Sequence, residues 1–287
     1  MANSTLFVSE ISSNHSSDLE RCKNLIAASH DVGCNAVKFQ LFKVNELFAP
    51  EILSQSKRHR DRAAWELPVS FLPHLMQFCH DLELQFACTP FYMKAVEELE
   101  PFVDFFKVSS YEMIWDDLII ECARTGKDIV ISTGMATMDE IKNAVEKFRS
   151  NSDAELTLLH TISGYPTPAH EANLMAIDTL RKAFECNVGL SDHSVSPGVI
   201  YRATHRWGAS MVEFHLDLDA SGAEYENGHC WLPYEIKPII QNINSGNRAD
   251  GNGKKMPMPI EKEERLWRAD PSDGLRPLKR LRASFDG

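Results

Sequence analysis

Two lysines and two histidines stand in short β-like segments of the chain. Lys38 and Lys107, with hydroxyl residues around them, would bind an anion such as phosphate or carboxylate. His193 and His215 belong to neighbouring segments, and two imidazoles at adjacent strand ends can share one divalent metal. These residue types predict an anion pocket beside a metal site. The alternatives are a structural ion pair for each lysine and a core position for each histidine.

Segments rich in β-formers alternate with segments of helical periodicity up to about residue 245. Strands are predicted at 6–11, 36–41, 85–88, 102–108, 128–132, 155–160, 187–190 and 210–216. Helices are predicted at 18–30, 69–81, 115–124, 137–148, 172–184, 197–207 and 233–243, with Thr137 as an N-cap. The βα order implies parallel strands with right-handed crossovers, which predicts an α/β fold, a (β/α)₈ TIM barrel. An open doubly wound sheet is the alternative, but the first βα turn lacks a Gly-rich dinucleotide fingerprint.

The carboxyl ends of TIM-barrel strands carry the catalytic groups. Every predicted strand delivers a polar side chain there, and buried polar groups cost free energy unless they are paired. Side chains two apart on a strand share a face, so Lys38 and Gln40 are expected to face the barrel axis, as are Glu213 and His215. The candidate site residues are Glu10, Lys38, Gln40, Thr89, Lys107, Ser110, Ser132, Ser163, Tyr165, Ser191, His193 and His215.

The 287 residues carry a formal net charge of −11. An acidic chain is a poor nonspecific binder of nucleic acid or anionic membranes, which need basic surface. No apolar run approaches the length of a membrane span, and the N-terminus lacks a signal-peptide pattern. The seven cysteines are scattered without a CxxC spacing, which is typical of reduced thiols. We therefore expect a cytoplasmic protein.

Two segments interrupt the βα pattern. Residues 43–66 are predicted to form a long loop, and residues 245–287 an extended tail after a barrel domain of residues 1–244. The tail has 10 Lys+Arg against 7 Asp+Glu, so it is basic while the rest is acidic. Trp and Arg anchor interfaces well, so residues 256–285 are expected to dock on a barrel surface through Trp267. A disordered terminus is the alternative.

Each predicted strand carries a distinct motif. In chain order they are Glu10-Ile11 with Asn14-His15, Ala36-Val37-Lys38-Phe39-Gln40, Cys88-Thr89-Pro90-Phe91, Phe106-Lys107-Val108-Ser109-Ser110-Tyr111-Glu112, Ile131-Ser132-Thr133-Gly134-Met135-Ala136-Thr137, Tyr165-Pro166-Thr167-Pro168, Gly189-Leu190-Ser191-Asp192-His193 and Glu213-Phe214-His215. In this order the chain resembles the sialic acid synthase (N-acetylneuraminate synthase) family. The resemblance implies a metal-dependent condensation of phosphoenolpyruvate with an open-chain N-acetylmannosamine-type aldose, which gives a nonulosonic sugar acid and phosphate. It also implies a homodimer or larger homo-oligomer.

The resemblance further implies a role for each candidate residue. The donor phosphate and carboxylate would be bound by Lys38, Thr89, Lys107, Ser110, Ser132 and Ser191. The reacting centre would be served by Glu10, Lys38 and Gln40, and the sugar by Ser163 and Tyr165. His193 and His215 would bind the metal, with Mn²⁺ the family's usual ion.

The chain also departs from the family pattern. Phe214 stands where a lysine is usual, and Gly228 matches an Asp that contacts the sugar. The family's C-terminal antifreeze-like domain is not expected in this chain. Because the position that contacts the sugar is altered, a different acceptor is expected. Three alternatives stay open: the same chemistry on another aldose, as in 3-deoxy sugar-acid synthases, a Schiff-base aldolase using Lys38 or Lys107, and a non-catalytic sugar-binding relative.

Overall fold

Eight parallel strands close into a barrel, because the first strand pairs with both the second and the eighth. A computed structural model describes residues 5–285. Its strands are β1 (Leu6–Glu10), β2 (Ala36–Leu41), β3 (Gln85–Pro90), β4 (Phe105–Val108), β5 (Asp128–Ser132), β6 (Leu156–His160), β7 (Asn187–Asp192), β8 (Met211–Leu216) and a short β9 (Cys230–Trp231) beside β8. The predicted TIM barrel is confirmed.

Helices connect the strands in βα order. They are α1 (Leu19–Val32), α2 (Val44–Leu47), α3 (Pro50–Gln55), α4 (Lys57–Arg60), α5 (Leu72–Asp81), α6 (Met93–Leu99), α7 (Asp116–Arg124), α8 (Met138–Arg149), α9 (Ala176–Phe184), α10 (Pro197–Tyr201), α11 (Pro233–Ala249) and α12 (Lys279–Arg282). Helix α6 lies where the sequence suggested none, and short helices α2 to α4 occupy the expected loop 43–66. Within residues 5–285, no helix combines the length and hydropathy needed to cross a membrane.

Local sequence signals explain where the helices begin and end. The Asp18 side chain accepts hydrogen bonds from the first turn of α1, which ends at Gly33 in the left-handed region (φ 96°). Thr137 caps α8 in a capping box with Glu140, as the sequence predicted. These caps fix the ends of helices that follow or precede site-bearing strands.

A small apolar cluster fills the barrel interior below the polar residues. It is drawn from seven strands and consists of Val8, Ala36, Ala87, Phe105, Val130, Leu159 and Met211. A larger buried cluster lies between the strands and the surrounding helices. The interior is therefore packed at one end, and the polar strand residues gather at the carboxyl end, as in other TIM barrels.

The described chain divides into two compact units between Asn247 and Arg248. Helix α11 ends at Ala249, beyond the predicted start of the tail at residue 245. The second unit contains two short 3₁₀ turns, Pro259–Glu261 and Glu264–Trp267, besides α12. Within it, Trp267 packs edge-on against Phe285, with ring centroids 5.9 Å apart.

Candidate active site

Lys38 and Lys107 both face the carboxylate of Glu213 inside the barrel. The Nζ atom of Lys107 lies 3.7 Å from Glu213 Oε1, and that of Lys38 lies 3.9 Å from Oε2. Ser191 donates to the same Oε1 at 3.0 Å, and Lys107 donates to Ser132 at 2.7 Å. All five side chains are buried. The predicted pair of cations is therefore joined by a carboxylate from β8.

Glu10 supplies a second carboxylate next to Lys38. The two residues are register partners on β1 and β2, and their side chains form an ion pair. Gln40 donates to Glu10 Oε1 at 2.9 Å, while Lys38 donates to Thr89 Oγ1 at 3.4 Å. The site thus places two lysines against two glutamates, so their formal charges balance when all four groups are ionised.

Burial and neighbouring charges shift the pKa values of these groups. Burial lowers the pKa of Lys107 to about 8, and Glu213 only partly opposes that shift. Burial also raises the pKa of Glu10, against the attraction of Lys38. For Glu213 burial acts in the same direction, but the two lysines prevail and hold its pKa below the usual value. Lys107 is therefore a cation at neutral pH that gives up its proton in mildly basic solution.

A narrow polar cradle lies where β4, β5 and β6 end. Ser110 follows β4, Gly134 follows β5 and Ser163 follows β6; the Gly134 N–H donates to Ser110 Oγ at 3.0 Å. A Cβ atom on Gly134 would lie 2.8 Å from Ser110 Oγ and 2.4 Å from Ser163 Oγ. Any side chain at position 134 would fill this space. The cradle presents backbone N–H and hydroxyl groups of the kind that bind phosphate oxygens.

The predicted metal-binding pair, His193 and His215, is brought together, with ring centroids 5.3 Å apart. Nδ1 of His193 lies 2.9 Å from the Ile162 carbonyl, so it carries the proton and leaves the Nε2 lone pair available. A metal-binding histidine commonly donates its other N–H to a carbonyl in this way. Burial, with repulsion from His215, lowers the pKa of His193 to about 3. The donor set therefore fits a divalent metal.

Glu224 and His229, which sequence reasoning missed, lie beside this pair. Both come from the loop between β8 and β9. Glu224 Oε2 lies 3.0 Å from His215 Nδ1 and 3.6 Å from His229 Nε2, and the His229 ring centroid is 4.6 Å from that of His215. Gly228, aligned above with the family's Asp, ends a 3₁₀ turn at φ 79°. The signal available in the sequence was that Glu224 and His229, five residues apart, lie in the loop after a strand that already carries Glu213 and His215.

Tyr165 forms a side wall of the site. Its ring centroid lies 4.2 Å from that of His193 and 5.0 Å from that of His229. The side chain is 42% exposed, so its outer part faces solvent. This places an aromatic surface at the rim, where a substrate would pass between solvent and the histidines.

Four buried polar atoms near the strand ends have no hydrogen-bond partner among the described residues. They are His15 Nε2, Ser163 Oγ, His229 Nδ1 and Glu10 Oε2, the last of which is ion-paired with Lys38. Buried polar groups are normally hydrogen-bonded, so unpaired ones at one end of a barrel indicate a surface built for a polar ligand.

The NeuB family model matches residues 25–255. The chain belongs to the NeuB family. It is 31% identical over 261 residues to an uncharacterized protein of Methanocaldococcus jannaschii, covering 90% of this chain and 76% of that protein. It is 30% identical over 264 residues to the N,N'-diacetyllegionaminic acid synthase of Campylobacter jejuni, covering 88% and 79%. The sialic acid synthetase structure from Leptospira borgpetersenii superposes with a TM-score of 0.80 at 27% identity, covering 92% and 90%.

As a NeuB-family member related to named sugar-acid synthases, the chain is a transferase-type enzyme. The residues proposed from the sequence lie near the carboxyl ends of the strands or in the segments that follow them, except Lys38, which is the third residue of β2. The structure groups them into three adjoining parts: the lysine–glutamate cluster, the serine cradle and the histidines with Tyr165.

Proposed function

We propose that this enzyme condenses phosphoenolpyruvate with an open-chain, manno-configured aldose such as N-acetylmannosamine, giving a nonulosonic sugar acid and phosphate. The observation that carries the proposal is the adjacency of Lys38 and Lys107 to a buried imidazole pair that fits a divalent metal. An anionic donor and a polarised aldehyde need those two environments next to each other.

The donor half of the reaction is assigned to the lysines and hydroxyls. The binding residues proposed for phosphoenolpyruvate are Lys38, Thr89, Lys107, Ser110, Ser132 and Ser191, while Ser163, on the other side of the cradle, is proposed to contact the sugar. Their buried cations and short hydroxyl side chains fix the orientation of the donor, so that its C3 faces the aldehyde carbon. Fixed orientation and preset electrostatics are how such a site lowers a barrier.

The acceptor half is assigned to the histidines and Tyr165. His193 and His215 would hold a divalent ion, proposed as Mn²⁺, which supplies Lewis-acid polarisation of the aldehyde oxygen. Tyr165 offers its exposed ring to the sugar chain. After C–C bond formation, water adds at C2 of the former donor and the C–O bond to phosphate breaks. Glu10, oriented by Gln40 and Lys38, is placed to take one proton from that water and pass it to the oxygen of the former aldehyde, while the remaining hydroxyl proton leaves with the phosphate.

The test is phosphate release from phosphoenolpyruvate with Mn²⁺ across phosphorylated and unphosphorylated aldoses of manno and arabino configuration. We expect release only with an aldose present, fastest with a manno-configured one, and none from the His193→Ala/His215→Ala variant. Preference for another aldose would indicate the 3-deoxy sugar-acid alternative. Inactivation by borohydride in the presence of substrate would indicate a Schiff-base aldolase, and no aldose-dependent release would indicate a binding protein.

We also propose a cytoplasmic enzyme that works as a homo-oligomer. The location is supported by seven cysteines that are all free, as expected in a reducing compartment. Sedimentation analysis of the full chain and labelling of thiols in intact cells test the two statements.

A further inference from the structure

Four side chains form what we term the histidine–glutamate cluster: His193, His215, Glu224 and His229. The ring centroids of the three histidines lie 4.6 to 6.2 Å from one another. Glu224 Oε2 lies 3.0 Å from His215 Nδ1 and 3.6 Å from His229 Nε2. Metal bonds of about 2.1 Å place neighbouring ligand atoms about 3.0 to 3.4 Å apart around a shared ion. These spacings allow a common metal. One ligand atom from each of His215, Glu224, His229 and Cys230 also lies within 4.8 Å of the others.

His229 supplies the independent observation. Its side chain is only 4% exposed, and Nδ1 has no hydrogen-bond partner within the described part of the chain. The 3.6 Å approach to Glu224 is too long for a hydrogen bond. Neither nitrogen of this buried imidazole has a hydrogen bond, which is unusual for a structural residue. Either nitrogen is available to bind an ion, Nε2 on the side of Glu224 or Nδ1 on the opposite side of the ring.

The loop that carries Glu224 is hydrogen-bonded to the 3₁₀ turn Ser12–His15, which follows β1. The Asn14 side chain accepts a hydrogen bond from the Glu224 backbone N–H at 2.9 Å, and Ser12 donates to Glu224 Oε1 at 2.6 Å. Gly222 is required in this loop, since a Cβ there would lie 2.3 Å from Asp217 Oδ1 and 2.5 Å from Asn14 Oδ1. One carboxylate oxygen is thus anchored, and the other points at the histidines in a fixed position.

We propose that Glu224 and His229 are metal ligands in this enzyme, completing a set of three imidazoles and one carboxylate with His193 and His215. The proposal rests on the proposed function, whose metal it places. The loop after β8 then serves the ion, and the acceptor sugar must be bound by other residues. Cys230 lies in the same group and its Sγ takes a hydrogen bond from Asn14 at 3.5 Å, so the Co²⁺ spectrum below tests whether it joins the set.

Metal spectroscopy on the full chain tests the ligand set without any turnover. With Cu²⁺ bound, the nitrogen hyperfine pattern should count three imidazoles in the wild type and two in His229→Gln. With Mn²⁺ bound, water-proton relaxation should report an extra inner-sphere water in Glu224→Gln, which the exposed neighbour variant Glu226→Gln should not show. Each ligand variant should also weaken Mn²⁺ binding by at least about tenfold in calorimetry.

The wild-type spectrum decides the matter even if a variant fails to fold. Two nitrogens in the wild type would overturn the role of His229, and an unchanged water count in folded Glu224→Gln would reduce Glu224 to a hydrogen-bond partner of His215. A thiolate-to-metal charge-transfer band with Co²⁺ would add Cys230 and also contradict the set. Three nitrogens with no phosphate release on any aldose would refute the proposed function alone; release with two nitrogens would refute only this inference.

Discussion

Replacing Lys107 by methionine removes one ammonium from the anion pocket and keeps most of the side-chain volume. Lys107 is 2% exposed and donates to Ser132 at 2.7 Å. A hydrogen bond to a charged group contributes about 1.5–3 kcal/mol. A free-energy difference of about 1.4 kcal/mol corresponds to a factor of ten. Loss of the contact between the Lys107 ammonium and the donor anion should therefore raise the dissociation constant of phosphoenolpyruvate about 10- to 150-fold.

The competing interpretation is that Lys107 only neutralises Glu213, from which it lies 3.7 Å away. The double variant Lys107→Met/Glu213→Gln separates the two, because it removes both charges together. If Lys107 binds the donor, the double variant should bind as weakly as the single one. If the lysine is only an ion-pair partner, removing Glu213 should restore the affinity.

Calorimetric titration with phosphoenolpyruvate, alongside circular dichroism to verify folding, measures these affinities. Lys127→Met is the matched control. Lys127 directly precedes β5, at the end of the barrel opposite the site, and donates to the Val103 carbonyl at 2.7 Å. We expect the control to bind normally. Donor affinity within twofold of the wild type in folded Lys107→Met would refute the assignment of an anion pocket.

Three further predictions concern pH, the cradle and the tail. Burial lowers the pKa of Lys107 to about 8, so the lysine is charged below that pH and neutral above it. Donor affinity measured against pH should therefore fall above about pH 8 in the wild type. A similar fall in Lys107→Met would contradict this reasoning. Gly134→Ala should weaken phosphate binding far more than Gly164→Ala, since an added Cβ has a neighbour at 2.4 Å in the first and none nearer than 3.6 Å in the second; equal affinities would rule out the cradle. The tail is proposed to dock through Trp267, so a chain ending at Asn247 should differ from the full chain in oligomeric state, melting temperature or turnover, and identity in all three would show that the tail has no such role.

The barrel could be predicted, and with it the meeting of the candidate site residues at one end, because strand geometry links sequence position to space. Once parallel strands are recognised, residues such as Lys38 and Gln40 must share a face, and the ends of all strands must meet. The short helix α6 was not predicted, because seven residues give too little periodicity. Helices α2 to α4 were not predicted for the same reason.

The histidine–glutamate cluster could be predicted only in part. His193 and His215 lie at the end of a strand or within one, where position follows from register. Glu224 and His229 come from an irregular loop whose path depends on contacts with Asn14 and on the tight packing at Gly222. Such long-range contacts leave no periodic signal. The charge balance around Glu213 was missed as well, because only the closed barrel shows which lysines one carboxylate can reach.

The pairing of two lysines with Glu10 and Glu213 has a thermodynamic consequence for substrate uptake. The two carboxylates lie against the same ammonium groups that would bind an anionic donor. A highly charged anion entering a balanced, buried cluster adds uncompensated negative charge, and this charge raises the proton affinity of every group nearby. If this pocket binds phosphoenolpyruvate as proposed, binding is expected to be coupled to uptake of protons. The heat of binding should then vary with the ionisation enthalpy of the buffer. The pocket would bind an anion by taking up protons and neutralising carboxylate charge, and not through a permanent excess of positive charge.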